Sequence, residues 1–336
     1  MSVQYTERGQ GSAVADFLSE HAQVLSIAGF FLICVVFFSA MTDAFLTPVN
    51  LLNILRQAAP ILVVAVAMTF VIITAGIDLS VGSQVALINA VAAIILSTGA
   101  VPWPLVIVGM LMLGAVIGLV QGWFVAYQGI PAFIVTLAGL SILRGLALYL
   151  TQGYSIPIPD LPGFLALGRG QIMGIPVPVI VAVGIAVIGT TVLARTVYGR
   201  RVVAVGSNTE AARRAGMPAR GTVASVYVLT GVASAVAGLL IAARLGSGSS
   251  NAAVGFELQV IAAVVLGGTS LFGGRGSILG TLLGAMTIAV IGNGLILMHI
   301  SPFFTQIVTG TIILVAIWLN TRIFTANFRF GGRKKG

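Results

Sequence analysis

The sequence has few charged residues and no polar stretch long enough to form a separate soluble domain. Charged residues make up 7% of its 336 positions and hydrophobic ones 58%, and the mean hydropathy is +1.10. A water-soluble domain of this size needs far more charge to cover its surface. The composition therefore excludes a soluble protein and indicates one embedded in a membrane.

Scarce cysteine, histidine and lysine exclude several kinds of site. Cys34 is the only cysteine, so no internal disulfide or cysteine metal cluster can form, and we expect it to pack as a small buried hydrophobe. His21 and His299 lack carboxylates at ligand spacing, so no metal site is predicted. Both lysines, Lys334 and Lys335, stand far from any glycine run of the Walker type, so we expect no ATP hydrolysis by this chain.

Long unbroken apolar runs dominate what remains. A β-barrel would show short alternating segments, so the backbone is expected to satisfy its polar groups in lipid by forming helices. Ten runs approach the length that a bilayer requires. They are Val24–Met41, Ile61–Ala75, Gln84–Ser97, Trp103–Tyr127, Ala132–Leu150, Val177–Ala194, Thr222–Ala243, Leu258–Leu271, Ser277–Met298 and Phe303–Leu319. We predict an all-α polytopic membrane protein with about ten transmembrane helices.

The net charge of +9 is interpreted through topology rather than as a sign of nucleic-acid binding, because basic residues mark cytoplasmic segments of membrane proteins. With the N-terminus inside, most of them fall on the inner side: Arg195, Arg200, Arg201, Arg213, Arg214, Arg220, Arg275, Arg322, Arg329, Arg333, Lys334 and Lys335. The bias predicts both termini in the cytoplasm.

The predicted organisation is a cytoplasmic tail (1–23), one transmembrane domain (24–322) and a basic cytoplasmic tail (323–336). No cleavable signal is recognised, so the first apolar run is expected to be a retained helix. The longest inside loop is 195–221. Arg56, Arg169 and Arg244 would lie outside, where the loops Gln152–Gly174 and Ser247–Asn251 are candidate surfaces for a partner.

Two apolar segments, Ile61–Ala75 and Leu258–Leu266, are short and end in glycine-rich polar breaks. Such breaks are typical of transport pathways, although a tight cytoplasmic turn is the alternative. The pathway or gate candidates are Gly76, Asp78, Ser80, Gln84, Asn89, Gly267, Gly268 and Asn293. Asp78 is equally suited to capping a helix, and each polar side chain could instead bond a neighbouring helix.

Two further features lie inside predicted spans. Gly114, Gly118 and Gly122 recur every four residues, which predicts one helix face packed closely against a neighbour. Arg144 lies within Ala132–Leu150, where an unpaired charge is costly, so it must snorkel to the interface, find a partner or face a cavity.

The inside loop contains a sequence typical of a short helix, Asn208–Gly216. Asn208 or Thr209 can cap it, Glu210 favours its positive end, and Gly216 followed by Pro218 stops it. We interpret this segment as an element that couples the membrane helices to an ATPase; an anionic-lipid-binding patch is the alternative. The coupling residues are predicted to be Asn208, Glu210, Ala212, Arg213, Arg214 and Gly216.

Four stretches carry a family resemblance: AGIDLSVGS (Ala75–Ser83), PAFIVTLAGLSILRG (Pro131–Gly145), AVGSNTEAARRAGM (Ala204–Met217) and ELQVIAAVVLGGTSLFGGRGSILGTLLGA (Glu257–Ala285). In this order they resemble permease subunits of ribose-type ABC importers, a family that serves ribose, xylose, arabinose, galactose, rhamnose and related sugars. One departure is Gln259, where the family often has an aspartate; any pathway role of that carboxylate does not carry over.

The resemblance implies a multi-pass subunit of the bacterial inner membrane that translocates a monosaccharide and is not itself an enzyme. Its implied partners are a second permease copy or sister permease, a periplasmic sugar-binding protein, membrane lipid, and a cytoplasmic ATPase with two nucleotide-binding domains. ATP and Mg would be bound by that ATPase, and no cofactor by this chain. An ion-coupled secondary transporter remains the alternative, although it would need membrane-embedded carboxylates, and only Asp78 and Glu257 lie near the spans.

Overall fold

The computed structural model describes residues 11–301 together with positions 304, 307, 308, 310, 311, 314 and 315, and side chains from residue 24 onward. Within this part of the chain twelve continuous helices follow one another: α1 Gly11–Met41, α2 Pro48–Ile73, α3 Val81–Thr98, α4 Trp103–Ala126, α5 Ala132–Thr151, α6 Pro162–Arg169, α7 Val177–Arg195, α8 Val197–Ser207, α9 Thr209–Arg214, α10 Ala219–Leu245, α11 Phe256–Leu266 and α12 Ile278–Leu297.

Two short antiparallel strand pairs join the loops at one end of the bundle. Strand β1 (Ile156–Pro157) pairs with β4 (Ser247–Gly248), and β2 (Gln171–Ile172) pairs with β3 (Ile175–Pro176). The predicted outer loop Gln152–Gly174 therefore contains strand β1, helix α6 and strand β2. It is a structured cover over the ends of the long helices.

Eight helices of the described region are long and apolar enough to cross a membrane, with mean hydropathies of 1.7 to 2.6: α2, α3, α4, α5, α7, α10, α12 and the Val24–Met41 part of α1. They confirm the all-α membrane fold. Helix α11 has only 11 residues, and about 16 Å of helix is too short for a hydrocarbon core of about 30 Å. The tenth predicted span, Phe303–Leu319, lies largely outside the described residues.

Helix α2 is longer than predicted. It begins at Pro48 rather than Ile61, because a cluster of polar residues and Pro60 interrupted the apolar pattern without ending the helix. Thr47 accepts a hydrogen bond from the amide of Asn50 (3.4 Å), and Pro48 occupies the first turn, where its missing N–H costs nothing. The prediction that this segment is short was therefore wrong.

The long helix α10 packs against α2, α3 and α4. The predicted glycine face of α4 meets it directly: a side chain at Gly114 would overlap the backbone of Gly231, one at Gly118 that of Tyr227, and one at Gly122 that of Ala224. The close packing predicted for these glycines is confirmed.

After α10 the chain turns back into the bundle over Gly246–Gly255, which we call the re-entrant segment. Gly248 packs against Asn89 at the middle of α3 and Ala93 beyond it, whereas Ala253 and Glu257 lie against Gly82 at the start of α3. The chain therefore descends alongside α3 before α11 begins, and the first turns of α3 and α11 meet inside the bundle. The loop was predicted to be an outer surface; this is wrong for Gly248 and Ser250, which are buried.

Candidate translocation cavity

A cavity of about 530 Å³ lies between α2, α10, α11, α12 and the re-entrant segment. This volume is typical of pockets that enclose a small molecule. The cavity is at the end of the bundle where α2 begins and α10 and α12 end, and helices α8 and α9 lie at the opposite end of α2 and α10. Most of the side chains that line it are apolar, and a few are polar.

The polar lining consists of four carboxamides and one guanidinium, with no carboxylate among the lining residues. These side chains belong to Gln57, Arg244, Asn251, Gln259 and Asn293. A carboxamide both donates and accepts hydrogen bonds, as a sugar hydroxyl does, whereas an arginine only donates. The set matches a small solute that carries several hydroxyl groups.

Asn293 is held in place by a neighbouring amide. Its Nδ2 donates to Oδ1 of Asn50 (2.9 Å), and its Oδ1 accepts from Nδ2 of Asn50 (2.9 Å). Asn50 is itself fixed by a hydrogen bond to the carbonyl of Phe45 (2.8 Å). This reciprocal pair uses one donor of Asn293 and leaves its second N–H for a bound molecule.

The first glycine break forms a buried hydrogen-bonded cluster beside the cavity rather than part of its wall. Asp78 accepts bonds from the amide (2.9 Å) and hydroxyl (2.6 Å) of Ser80 and from Nε2 of Gln84 (3.3 Å). Gln121 of α4 also donates to the Ser80 hydroxyl (2.8 Å). Asp78, Ser80 and Gln84 are fully buried. Asp78 forms no ion pair with any described residue. Its hydrogen bonds with Ser80 and Gln84 instead stabilise the turn that leads into α3.

The second glycine break is a tight turn that joins three helices. Gly267 packs against the backbone of Gly280 where α11 meets α12, and Gly268 has a φ of +89°, a conformation that favours glycine. Further along the turn, the amide of Gly274 donates to the carbonyl of Ile73 at the end of α2 (2.8 Å). These residues do not line the cavity.

Of the eight predicted pathway residues, Asn293 alone lines the cavity. Asn89 faces the other side of the re-entrant segment and accepts from the amide of Ser249 (2.6 Å). Sequence reasoning missed Gln57, because the first half of α2 was not recognised, and Arg244, which was assigned to an outer loop. The only signal for Gln259 was its departure from the family pattern.

The short helix predicted in the inside loop is present as α9. Asn208 caps it by accepting from the amide of Ala211 (2.9 Å). Glu210 forms ion pairs with Arg213 and Arg214 (3.0 Å each), which lowers the pKa of the Glu210 carboxyl and raises that of the Arg213 guanidinium. These ion pairs connect Glu210 in the first turn of α9 with the two arginines in its last turn.

The loop 195–221 is packed, not merely charged. Ala212 is buried against Val205 and Ala219, and Gly216 ends the segment with a φ of +78°. Helix α8 leads into α9, and Gly206 in its last turn lies against Ile73 and Gly274. The loop therefore touches both the end of α2 and the turn after α11.

Comparison with known proteins shows which family this chain is similar to. Residues 50–317 match the model described as branched-chain amino acid transport system / permease component. The chain is 40% identical to the probable ABC transporter permease protein YphD of Escherichia coli K12, covering 93% of this chain and 94% of that protein. It is 42% identical to the ribose import permease protein RbsC of Bacillus subtilis 168 (86% and 90%) and 35% to the xylose transport system permease protein XylH of E. coli K12 (90% and 93%).

No solved structure gave a match. The family match covers more than half of the chain, and the relatives are similar along nearly their whole length. A multi-pass helical chain with these relatives is the membrane subunit of a transport system. The chain belongs to the transport-system permease component family.

Proposed function

We propose that this chain is the membrane-spanning subunit of an ABC importer that moves a monosaccharide into the bacterial cytoplasm. The observation that carries the proposal is the cavity of about 530 Å³, lined by four carboxamides and Arg244. Its size and hydrogen-bonding groups fit a pentose or hexose better than an aliphatic amino acid, whose carboxylate and ammonium would call for both charges in the lining. The ribose and xylose permeases among the relatives support the same substrate class.

The orientation belongs to the same proposal. With both termini in the cytoplasm and about ten spans, the arginine-rich helices α8 and α9 lie inside and the cavity opens toward the outside. A periplasmic sugar-binding protein would then deliver the solute above Arg244. An ATPase with two nucleotide-binding domains, which would bind ATP and Mg, would dock below, and a second permease copy or a sister permease would complete the pathway in the inner membrane.

In this mechanism the loop 195–221 acts as a coupling loop that transmits ATPase closure to the helices. Movement of α9 is passed to α8 by the buried side chain of Ala212, and from Gly206 to the backbone of Ile73 and Gly274. The two glycine breaks would thus move together. The first follows the end of α2, and the second, between α11 and α12, contains Gly274. Of the two acids near the spans, Asp78 is poorly suited to ion coupling, since its oxygens are already occupied by Ser80 and Gln84.

The test is uptake by proteoliposomes that contain the permease, its co-purified ATPase and an added binding protein. We expect accumulation of a labelled ribose, xylose or galactose that requires ATP and the binding protein. An ATPase variant that cannot hydrolyse ATP is the control. Accumulation driven by a proton or sodium gradient without ATP would instead establish the secondary-transporter alternative.

A further inference from the structure

We propose that Arg144 is a positioning residue for the cavity: it holds the re-entrant segment from behind, so that Asn251–Val254 form the cavity wall. Its effect on solute uptake rests on the proposed function, whereas its effect on the segment does not. Arg144 lies in α5, which contributes no residue to the lining. The residue therefore acts on the solute only through the segment.

The guanidinium of Arg144 donates hydrogen bonds to three backbone carbonyls of the re-entrant segment. One of its Nη atoms donates to Ser250 (2.5 Å) and Ala252 (2.9 Å), and the other to Ala253 (3.5 Å). The segment is not helical here, so the carbonyls of Ser250 and Ala252 lack the partners that a helix would supply, whereas that of Ala253 also accepts from the amide of Phe256 (3.3 Å). Non-helical backbone at membrane depth persists only where protein or water satisfies it, and Arg144 supplies these bonds.

Two further side chains hold the same face of the segment. Asn89 of α3 accepts from the amide of Ser249 (2.6 Å), and the hydroxyl of Thr151 in α5 donates to that of Ser250 (3.0 Å). Ser250 is fully buried behind the wall, whereas Asn251 and Val254 are exposed and line the cavity. The segment thus has one face fixed to α3 and α5 and the other turned to the solute.

An acidic side chain also lies near Arg144. The carboxylate of Glu257, in the first turn of α11, attracts the guanidinium electrostatically, although the two form no direct ion pair. Glu257 in turn lies against Gly82 at the start of α3. An acidic side chain therefore lies near Arg144 without replacing the carbonyls as its hydrogen-bond partners.

An arginine is required because its planar fork presents five N–H donors, enough for three carbonyls at fixed positions. A lysine offers a single ammonium on a flexible stem and can reach only some of them. Glutamine has one short amide that cannot bridge the set. We therefore expect graded losses in the order Arg144→Lys, then Arg144→Gln.

The first experiment measures amide hydrogen exchange of the permease in lipid nanodiscs, in complex with its ATPase. Arg144→Gln should speed exchange across residues 249–256 by about tenfold to a hundredfold, as expected for losing charge-assisted hydrogen bonds, while α3 and α5 are unchanged. Arg144→Lys should fall between this variant and the wild type. Arg195→Gln is the control, because Arg195 is the exposed last residue of α7, a helix that contributes no residue to the cavity lining.

The second experiment separates solute affinity from turnover in proteoliposomes. Arg144→Gln should raise the KM for uptake about tenfold, and basal ATP hydrolysis should stay within about twofold of wild type. Exchange of 249–256 that equals wild type, or faster exchange spread over α3 and α5 as well, would overturn the positioning role. If the wild type itself does not transport a sugar with ATP, the proposed function fails, and the exchange experiment still decides whether Arg144 holds the segment.

Discussion

Gly206, in the last turn of α8, lies directly against the backbone carbonyl of Ile73, the last residue of α2. A side chain at position 206 would overlap that oxygen and would also meet the amide of Gly274 at 2.9 Å. The loop 195–221, α2 and the turn after α11 therefore meet at one point without any intervening side chain.

This contact predicts that Gly206→Ala uncouples the importer. The added methyl group must push α8 away from Ile73, so movement of the loop no longer reaches the membrane helices. We expect ATP hydrolysis to persist while uptake falls about tenfold or more. Gly221→Ala is the control, because nothing lies within 4 Å of that position, and it should transport normally. Full uptake by Gly206→Ala would remove this contact from the mechanism.

A second prediction concerns the packed face of α9. Ala212 is buried against Val205 and Ala219, whereas Ala211 is exposed. Ala212→Leu should overpack this cluster at a cost of about 1–3 kcal/mol and release or uncouple the ATPase, while Ala211→Leu has a weaker effect on the fold of the loop. Co-purification of the ATPase and ATP-driven uptake are the measurements. Normal transport by Ala212→Leu, with loss only when arginines are removed, would favour the lipid-binding alternative.

The glycine face of α4 yields a stability prediction. A methyl group at Gly118 would overlap the backbone of Tyr227, whereas Gly109 has nothing within 4 Å. Gly118→Ala should therefore lower the melting temperature of the detergent-solubilised protein, with a destabilisation of about 1–3 kcal/mol, because the two helices must separate. Gly109→Ala on the same helix should leave it unchanged. Equal melting temperatures for both variants would contradict the close α4–α10 contact.

For the cavity we predict that Gln259→Leu weakens solute binding. Leucine has a comparable size but offers no hydrogen bond, so hydroxyl groups facing it lose a partner while being desolvated. The KM for uptake should rise about tenfold with little change in basal ATP hydrolysis. Gln128→Leu, at an exposed position after α4, should behave as wild type. An unchanged KM in Gln259→Leu would mean that the solute does not contact this wall.

The ion pairs of α9 make its stability depend on pH. Hydrogen bonds from Arg213 and Arg214 lower the pKa of Glu210 below its ordinary value of 4.5. The stabilisation is therefore fully present above pH 4.5 and is lost as the pH falls through the lower, folded pKa. Amide exchange over α9, corrected for its intrinsic pH dependence, should rise in this acidic range. Glu210→Gln should show no such step, and a step at the ordinary pKa would contradict the pairing.

The features that depend on nearby residues could be predicted from the sequence alone. Helix α9 was recognised because its cap, charges and terminating glycine all lie within nine residues, and the face formed by Gly114, Gly118 and Gly122 follows from helical spacing. The membrane class and most spans follow from long apolar runs, which bilayer thickness makes recognisable.

The tertiary structure alone decided where the chain re-enters the bundle and which residues surround the cavity. A polar loop such as Gly246–Gly255 resembles an exposed one in sequence, because its partners are remote: Arg144 precedes Ser250 by 106 positions, and Asn89 precedes Ser249 by 160. Likewise, Asn293 meets Asn50 across 243 positions. These hydrogen bonds exist only once the helices have packed, since no local pattern encodes which distant side chain will satisfy a buried carbonyl or amide.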